Sequence, residues 1–461
     1  MVKLFRDKQF YKTLFALAIP FALQDLIKFG LNLIDNIMVG ALGETELSGV
    51  SLANQPFFLF SMFCFGLAGG GSVLITQYFG KEDMESVRKV SAITLSINLA
   101  ASLLIGTLVL LFPETFMRFY TNKESLIQCG SEYLRIVGWT YFLYGISNTF
   151  ILTLRSVRIV KVTLAANILS FITNVFLNWV FIFGNLSAPA LGVKGAAIAT
   201  LCARSLECLI LILYVRFVDK TLCFRFSLLF RFPKVLTHDF FKYSAPVLFN
   251  EFGWSIGISF INVVLGHLKE IGAVACGSIA STVQEVATVF IFGISSATCV
   301  LIGNTLGEKK IEKAKAMAKN ILYLSMFLGL IFGLLLFVLR PTILSLYKLT
   351  PDTFAMAMDF LIVTSCIVFV DSVSTIAICG VLRGGGDTRY SMLVDVLTLW
   401  LISLPLGFLG GFVFEWAPLV VYVLLRSDVL FKAILCFKRI VSNKWVHLVT
   451  RDHPDQLETE E

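Results

Sequence analysis

The chain has 461 residues, of which 57% are hydrophobic and 15% charged, with a mean hydropathy of +0.82. So little charge cannot coat a soluble domain of this length, which places the chain in a bilayer. The net charge of +7 is divided among short loops, without a basic arm or zinc-finger spacing, which argues against nucleic acid as a partner.

Twelve apolar segments follow in chain order, near residues 13–41, 47–79, 90–112, 130–153, 162–184, 192–217, 243–268, 273–306, 318–338, 357–381, 391–414 and 416–437. Runs of roughly 20 to 30 residues cross a hydrocarbon core of about 30 Å as helices, the longest of them tilted, kinked or projecting. The first is too long for a signal peptide, has no small-residue cleavage pattern after it, and carries Asp25, Lys28 and Asp35. It is expected to remain as a spanning helix. Pro20 and Pro246, near the starts of the first and seventh segments, predict kinks because each removes a backbone donor. "LAGGG" (67–71) predicts close helix packing through small residues. "GGGDT" (384–388) lacks the GK[ST] ending and the preceding strand of a phosphate loop, and predicts a flexible turn between the tenth and eleventh helices. The ten cysteines form no CxxC and are expected as small core residues, neither a disulfide frame nor a metal site.

Basic residues set the orientation. With a cytoplasmic N-terminus, 28 of the 38 Lys and Arg fall on the inside and 7 on the outside, at Arg118, Lys123, Arg135, Lys194, Lys269, Arg340 and Lys348. Lys28, Arg204 and Arg426 lie within segments. Both termini are therefore expected in the cytoplasm.

The sequence repeats itself. "AIPFALQD" (18–25) matches "SAPVLFNE" (244–251) at an offset of 226, "FGLAGGGSVLITQYFGK" (65–81) matches "FGISSATCVLIGNTLGE" (292–308) at 227, and Leu154-Arg155 matches Leu382-Arg383 at 228. Six segments separate the copies, so the halves share one orientation and are expected to be related by an axis along the membrane normal. Such repeats commonly place a substrate cavity at their interface. The expected organisation is an N-terminal lobe over 1–217, a cytoplasmic connector over 218–242, a C-terminal lobe over 243–440 and a cytoplasmic tail over 441–461.

An ionisable group at bilayer depth costs several kcal/mol and is a functional candidate by default. Those candidates are Asp25, Asp35, Glu207, Glu251, Glu285, Asp371 and Asp395. Asp25 with Lys28, and Arg204 with Glu207, are three apart and can neutralise each other on one helix face. Asn174 and Asn178 share a face of the fifth segment; they either glue helices together or supply oxygens to a small hard cation. No nucleophile elbow, HExxH, nucleotide-binding motif or DDxxD-type site is present, so neither an enzyme, a cofactor nor ATP-driven transport is expected.

With "IPFALQDLIKFGLNLIDNIMVGALG" in the first helix, "LNWVFIFG" in the fifth, "LGVKGAAIATLCAR" opening the sixth and "VLRGGGDT" after the tenth, the chain resembles the multidrug and toxic compound extrusion (MATE) transporters over roughly residues 10–440. The resemblance implies an all-α polytopic fold of twelve transmembrane helices in two pseudo-symmetric six-helix lobes, arranged as a V. It also implies a monomer in the cell inner membrane that exports cationic or amphiphilic compounds in exchange for Na+ or H+. The family's N-lobe coupling carboxylate falls on Asp35, and the cation site some members build around it falls on Asn174, Asn178 and Thr200. Asn178 stands where better-known members have an aspartate, which removes one negative charge. The C-lobe acids of the NorM-like branch fall on Glu251 and Asp371, while Asp25, Glu285 and Asp395 are left as further candidates for lining the cavity. A lipid or lipid-linked sugar flippase of the same superfamily is the alternative; twelve helices and mainly acidic membrane charges point instead to cationic cargo.

Overall fold

Apolar runs of this length satisfy their backbone in lipid only by forming helices. A computed structural model describes residues 8–229, 232–268, 272–347 and 349–451. Lys3, Arg6, Arg231, Lys269 and Lys348, all counted for topology, lie outside the described residues, as does the tail after Arg451. Among the described residues there is no strand. The helices are α1 (Lys8–Gly40), α2 (Glu44–Gly80), α3 (Met84–Leu111), α4 (Pro113–Tyr120), α5 (Glu124–Val137), α6 (Thr140–Ser156), α7 (Lys161–Phe183) and α8 (Val193–Leu213). After the connector come α9 (Lys234–Gly266), α10 (Gly272–Gly307), α11 (Ile311–Leu344), α12 (Pro351–Thr375), α13 (Thr388–Thr398), α14 (Leu404–Phe408), α15 (Pro418–Leu425) and α16 (Asp428–Val441).

Ten of these helical stretches are each long and apolar enough to cross a bilayer. The other two expected spans are broken. The fourth becomes α5 and α6, parted at Gly138 and Trp139, and the twelfth becomes α15 and α16, parted at Arg426 and Ser427. Wider π turns extend α8 over Tyr214–Val218 and α12 over Ile376–Leu382, and flank α14 at Leu399–Ser403 and Leu409–Val413. α9 begins at Lys234, so helix takes over part of the expected connector.

The chain forms two compact units. One holds Leu23–Leu248 with Arg451; the other holds Phe249–Thr450 with the residues up to Ala22. Their limits fall inside α1 and α9, two residues after Pro20 and Pro246 respectively. Each proline removes one hydrogen bond from its helix, which loosens the axis where the chain passes from one unit to the next.

In the first unit, Val39, Phe60, Met117, Tyr141, Ile182 and Ala197 belong to one core. The "LAGGG" stretch packs closely as expected: a methyl on Gly70 would meet Ser244 Cα at 2.2 Å, and one on Gly71 would meet Thr94 Oγ1 at 2.7 Å. In the second unit, Ile261, Val283, Phe360, Leu361, Leu399 and Tyr422 share a core, with Phe360 stacked on Tyr422 at 4.6 Å. The "GGGDT" stretch forms the expected turn, but it is packed instead of flexible. Trp445 is fully buried, and a Cβ on Gly385 would meet its ring at 2.3 Å. Gly386, at φ +80°, adopts the left-handed backbone that the turn needs. All ten cysteines are free, and five of them, Cys64, Cys208, Cys276, Cys299 and Cys436, are buried as core residues are expected to be. Cys202, Cys223 and Cys366 are exposed.

Candidate functional site

Asp35, the expected N-lobe coupling acid, and the three residues expected around it come together within the first unit. α7 and α8 approach closely because Gly195 has no side chain; a Cβ there would meet the Phe181 carbonyl oxygen at 2.5 Å. That approach lets Asn174 Nδ2 donate to Thr200 Oγ1 at 3.3 Å. Asn178, one turn further along α7, donates through Nδ2 to Asn174 Oδ1 at 3.0 Å and to Asp35 Oδ1 of α1 at 2.5 Å. Asn174 and Asn178 are 1% and 0% exposed, so the array is shielded from solvent on the α7 side. The remaining amide oxygen, Asn178 Oδ1, is buried with no hydrogen-bond partner among the described residues. A buried acceptor left in this way calls for a donor or a cation.

These atoms suit a small hard cation or a proton. One carboxylate, two amide oxygens and a hydroxyl are all hard oxygen ligands. They carry a single negative charge, which a monovalent ion or a proton balances and a divalent ion exceeds. Among the described residues no group of three or more His, Cys, Asp or Glu side chains is placed to hold a metal ion.

The other membrane acids separate by their partners. Asp25 faces Arg155, with Oδ1 3.6 Å from Nη2, and not Lys28 as its spacing along the helix predicts. The reason lies in Gln24, whose Oε1 accepts from Arg155 Nε at 3.0 Å and draws the guanidinium from α6 onto this stretch of α1. Gln24 Nε2 in turn donates to Thr163 at 3.1 Å. Glu207 pairs with Arg204 at 3.2 Å, the expected pair three residues apart. In the second unit Glu251 accepts from Arg383 Nη2 at 2.7 Å. Asp395, expected among the acids lining a cavity, is instead buried in an ion pair with Lys432 at 2.6 Å, and Lys432 also holds Asp428 at 2.6 Å. Glu285 is exposed on α10.

Asp371 is held differently. Gln284 Nε2 donates to its Oδ2 at 3.1 Å, while Ser374 and Thr375 donate to its Oδ1 at 3.2 and 3.4 Å. Gln284 Oε1 accepts from Arg426 at 2.9 Å, so the hydrogen-bond chain from the arginine to Asp371 runs through a neutral amide. Asp35 and Asp371, one in each unit, are thus held by neutral donors, whereas Asp25, Glu207, Glu251, Asp395 and Asp428 sit on cations. A cation or proton arriving at Asp35 or Asp371 displaces no resident ion pair. Sequence reasoning missed Gln24, Gln284, Arg155, Arg383, Arg426 and Lys432 as partners. Arg155 and Arg383 were visible only as landmarks of the repeat.

The burial of these cations alters the topology count. Arg155, Arg383 and Lys432 are 6%, 7% and 5% exposed and engage intramembrane acids, which leaves 25 of the 28 inside residues to report orientation against 7 outside.

The MatE family profile matches residues 20–180 and 246–409. Similar proteins include the uncharacterized transporter YisQ of Bacillus subtilis, 24% identical over 95% of this chain and 96% of its own length. The probable multidrug resistance protein NorM of Thermotoga maritima is 24% identical over 97% of this chain and 96% of its own. That of Rhizobium meliloti is 28% identical over 87% and 85%. Among solved structures, a MOP superfamily transporter from Pyrococcus furiosus Vc1 superposes with a TM-score of 0.85 at 21% identity, covering 94% of this chain and 96% of that one. An outward-facing multidrug resistance MATE family transporter superposes with a TM-score of 0.84 at 20% identity, over the same shares. These likenesses extend to the twelve-helix, two-lobe fold.

Proposed function

This chain belongs to the MatE family, and from that premise we propose that it is a secondary active exporter exchanging cationic or amphiphilic organic compounds for Na+ or H+. It is a multi-pass membrane transporter and not an enzyme. The observation that carries the proposal is the array Asp35, Asn178, Asn174 and Thr200, in which one carboxylate is held by neutral groups beside an unpartnered amide oxygen. An ionised Asp35 in an apolar surround is costly until a cation or proton neutralises it. Cationic cargo competes for the same negative field, and exchange follows when the two conformational states differ in affinity for ion and cargo. Asp371 offers a second carboxylate of the same kind in the other unit.

The protein works as a monomer in the cell inner membrane with both termini in the cytoplasm, an orientation supported by the remaining 25-to-7 basic asymmetry. The experiment is transport in proteoliposomes with sodium and proton gradients imposed separately. Gradient-driven movement of a cationic dye supports the exporter. Movement of a labelled lipid with no movement of dye would give the chain to the flippases.

A further inference from the structure

The sixth span runs from Val193 to Val218, its last five residues forming the π turn that extends α8. Its 26 residues measure roughly 39 Å along the axis, against a hydrocarbon core of about 30 Å, so its ends reach the headgroup layer. Arg216, Phe217 and Val218 close the span, and the two apolar side chains are 76% and 60% exposed. Lys220 and Arg225 follow in the connector and are exposed as well. Among the described residues Arg216, Lys220 and Arg225 pair with no carboxylate, whereas Lys89, Lys310, Lys315 and Arg439 each hold one elsewhere.

Asp219 is the sole acid of the stretch 214–229, and its carboxylate accepts from the backbone N–H groups of Thr221, Leu222 and Cys223 at 3.1, 2.8 and 3.1 Å. Its charge offsets one cation, which leaves the stretch at +2. The stretch is also pinned to the helices behind it. Arg88 Nε of α3 donates to the Leu222 carbonyl at 2.6 Å, and the Ser96 hydroxyl donates to that of Leu229 at 2.7 Å. The Phe224 and Phe226 rings meet Phe150 of α6 at 5.6 and 6.5 Å. A surface held in shape in this way spares a ligand the cost of ordering it. Exposed cations beside exposed apolar side chains, where a span leaves the bilayer, match a ligand with an anionic head and an apolar body.

We propose that the stretch from Arg216 to Arg225 is a docking surface for anionic phospholipid. The lipid phosphates meet Arg216, Lys220 and Arg225, and the acyl region meets Phe217 and Val218. The binding is independent of what the chain transports and needs no gradient, so it stands or fails apart from the export reading.

Cys223 is exposed within this surface and accepts a reporter. The test places a bimane on Cys223 of the full-length protein, with Cys202→Ser and Cys366→Ser, in phosphatidylcholine nanodiscs. Nitroxide-labelled phosphatidylglycerol or nitroxide-labelled phosphatidylcholine is then added at equal mole fraction. Phosphatidylglycerol should associate roughly fivefold to tenfold more strongly, as judged by quenching, and 1 M salt should shrink the preference. Arg216→Gln, Lys220→Gln and Arg225→Gln together should abolish it, and Arg216→Lys, Lys220→Arg and Arg225→Lys together should keep it. Lys310→Gln, Lys315→Gln and Lys438→Gln remove the same charge elsewhere and should also keep it. Should the labelled protein not fold, the melting temperature of unlabelled wild type in detergent gives the reading: it should rise more with phosphatidylglycerol than with phosphatidylcholine, and not in the glutamine triple variant. Equal quenching by the two lipids would overturn the proposal and leave the surface to an acidic protein segment. An equal loss of preference in the control triple variant would overturn it too, since the preference would then belong to net charge and not to this surface.

Discussion

Arg383 Nη2 lies 2.7 Å from Glu251 Oε1, and the first half of the chain repeats the pairing, with Arg155 Nη2 3.6 Å from Asp25 Oδ1. The acids are 226 positions apart and the arginines 228, so the internal repeat preserves an ion pair as well as an apolar pattern. Glu251 is therefore already balanced. An incoming cation has to displace a guanidinium there, which it does not have to do at Asp35 or Asp371.

That balance predicts opposite stability effects. Glu251→Gln leaves Arg383 buried and uncompensated, which typically costs about 3–5 kcal/mol. Purified Glu251→Gln should unfold at a clearly lower temperature than wild type, and Glu251→Gln with Arg383→Met should recover part of the loss. Asp371→Asn, which removes no ion pair, should melt close to wild type. Equal melting of Glu251→Gln and Asp371→Asn would show that the Arg383 contact contributes nothing.

The Lys432 cluster gives a second contrast. Asp395 and Asp428 share one lysine, so Lys432→Met strands two buried carboxylates at once. It should lower expression and thermal stability more than Asp395→Asn does. If Lys432→Met were as stable as wild type and lost only transport, the cluster would belong to the working site instead of the scaffold.

Much of the first unit was legible in the sequence. Asn174 and Asn178 are spaced for one face of a helix, Asp35 stands out as an acid inside an apolar run, and the family pattern adds Thr200; the structure joins all four by hydrogen bonds. The partner of Asp25 was not legible. A contact three residues away can be read from helical spacing, whereas Arg155 comes from a helix 130 positions further on and is steered by a glutamine. The partner of Asp395 is illegible for the same reason: its lysine lies on α16, in a stretch whose basic residues count toward the cytoplasmic side. The breaks in the fourth and twelfth spans were hidden because apolar composition continues through Gly138 and up to Arg426.

The paired asparagines separate two roles. As helix glue each is worth about 1 kcal/mol, and its loss should lower stability slightly with transport unchanged. As ligands, Asn174→Leu and Asn178→Leu should weaken coupling severalfold with expression largely intact, and Asn178→Leu should do more because its amide alone reaches Asp35. Normal sodium- or proton-driven efflux in both variants would leave only the glue.

Orientation is open to direct labelling. A cysteine replacing Lys123, placed in a background without the exposed Cys202, Cys223 and Cys366, should react with an impermeant maleimide added outside intact cells. A reporter fused after the C-terminus should be cytoplasmic. Protection of position 123 from the outside reagent would reverse the assignment.

The central claim is that Asp35 carries the coupling charge, and the most direct measurement is dye efflux from proteoliposomes holding Asp35→Asn, with sodium and proton gradients applied one at a time. The substitution keeps the shape and the hydrogen-bonding reach toward Asn178 and removes the charge. The account predicts a folded protein that has lost gradient-driven efflux under whichever ion drives wild type, with Asp371→Asn impaired by the share that the second unit contributes. Full efflux by Asp35→Asn, alongside failure of a stably folded Asp371→Asn, would place coupling in the C-terminal half and contradict it.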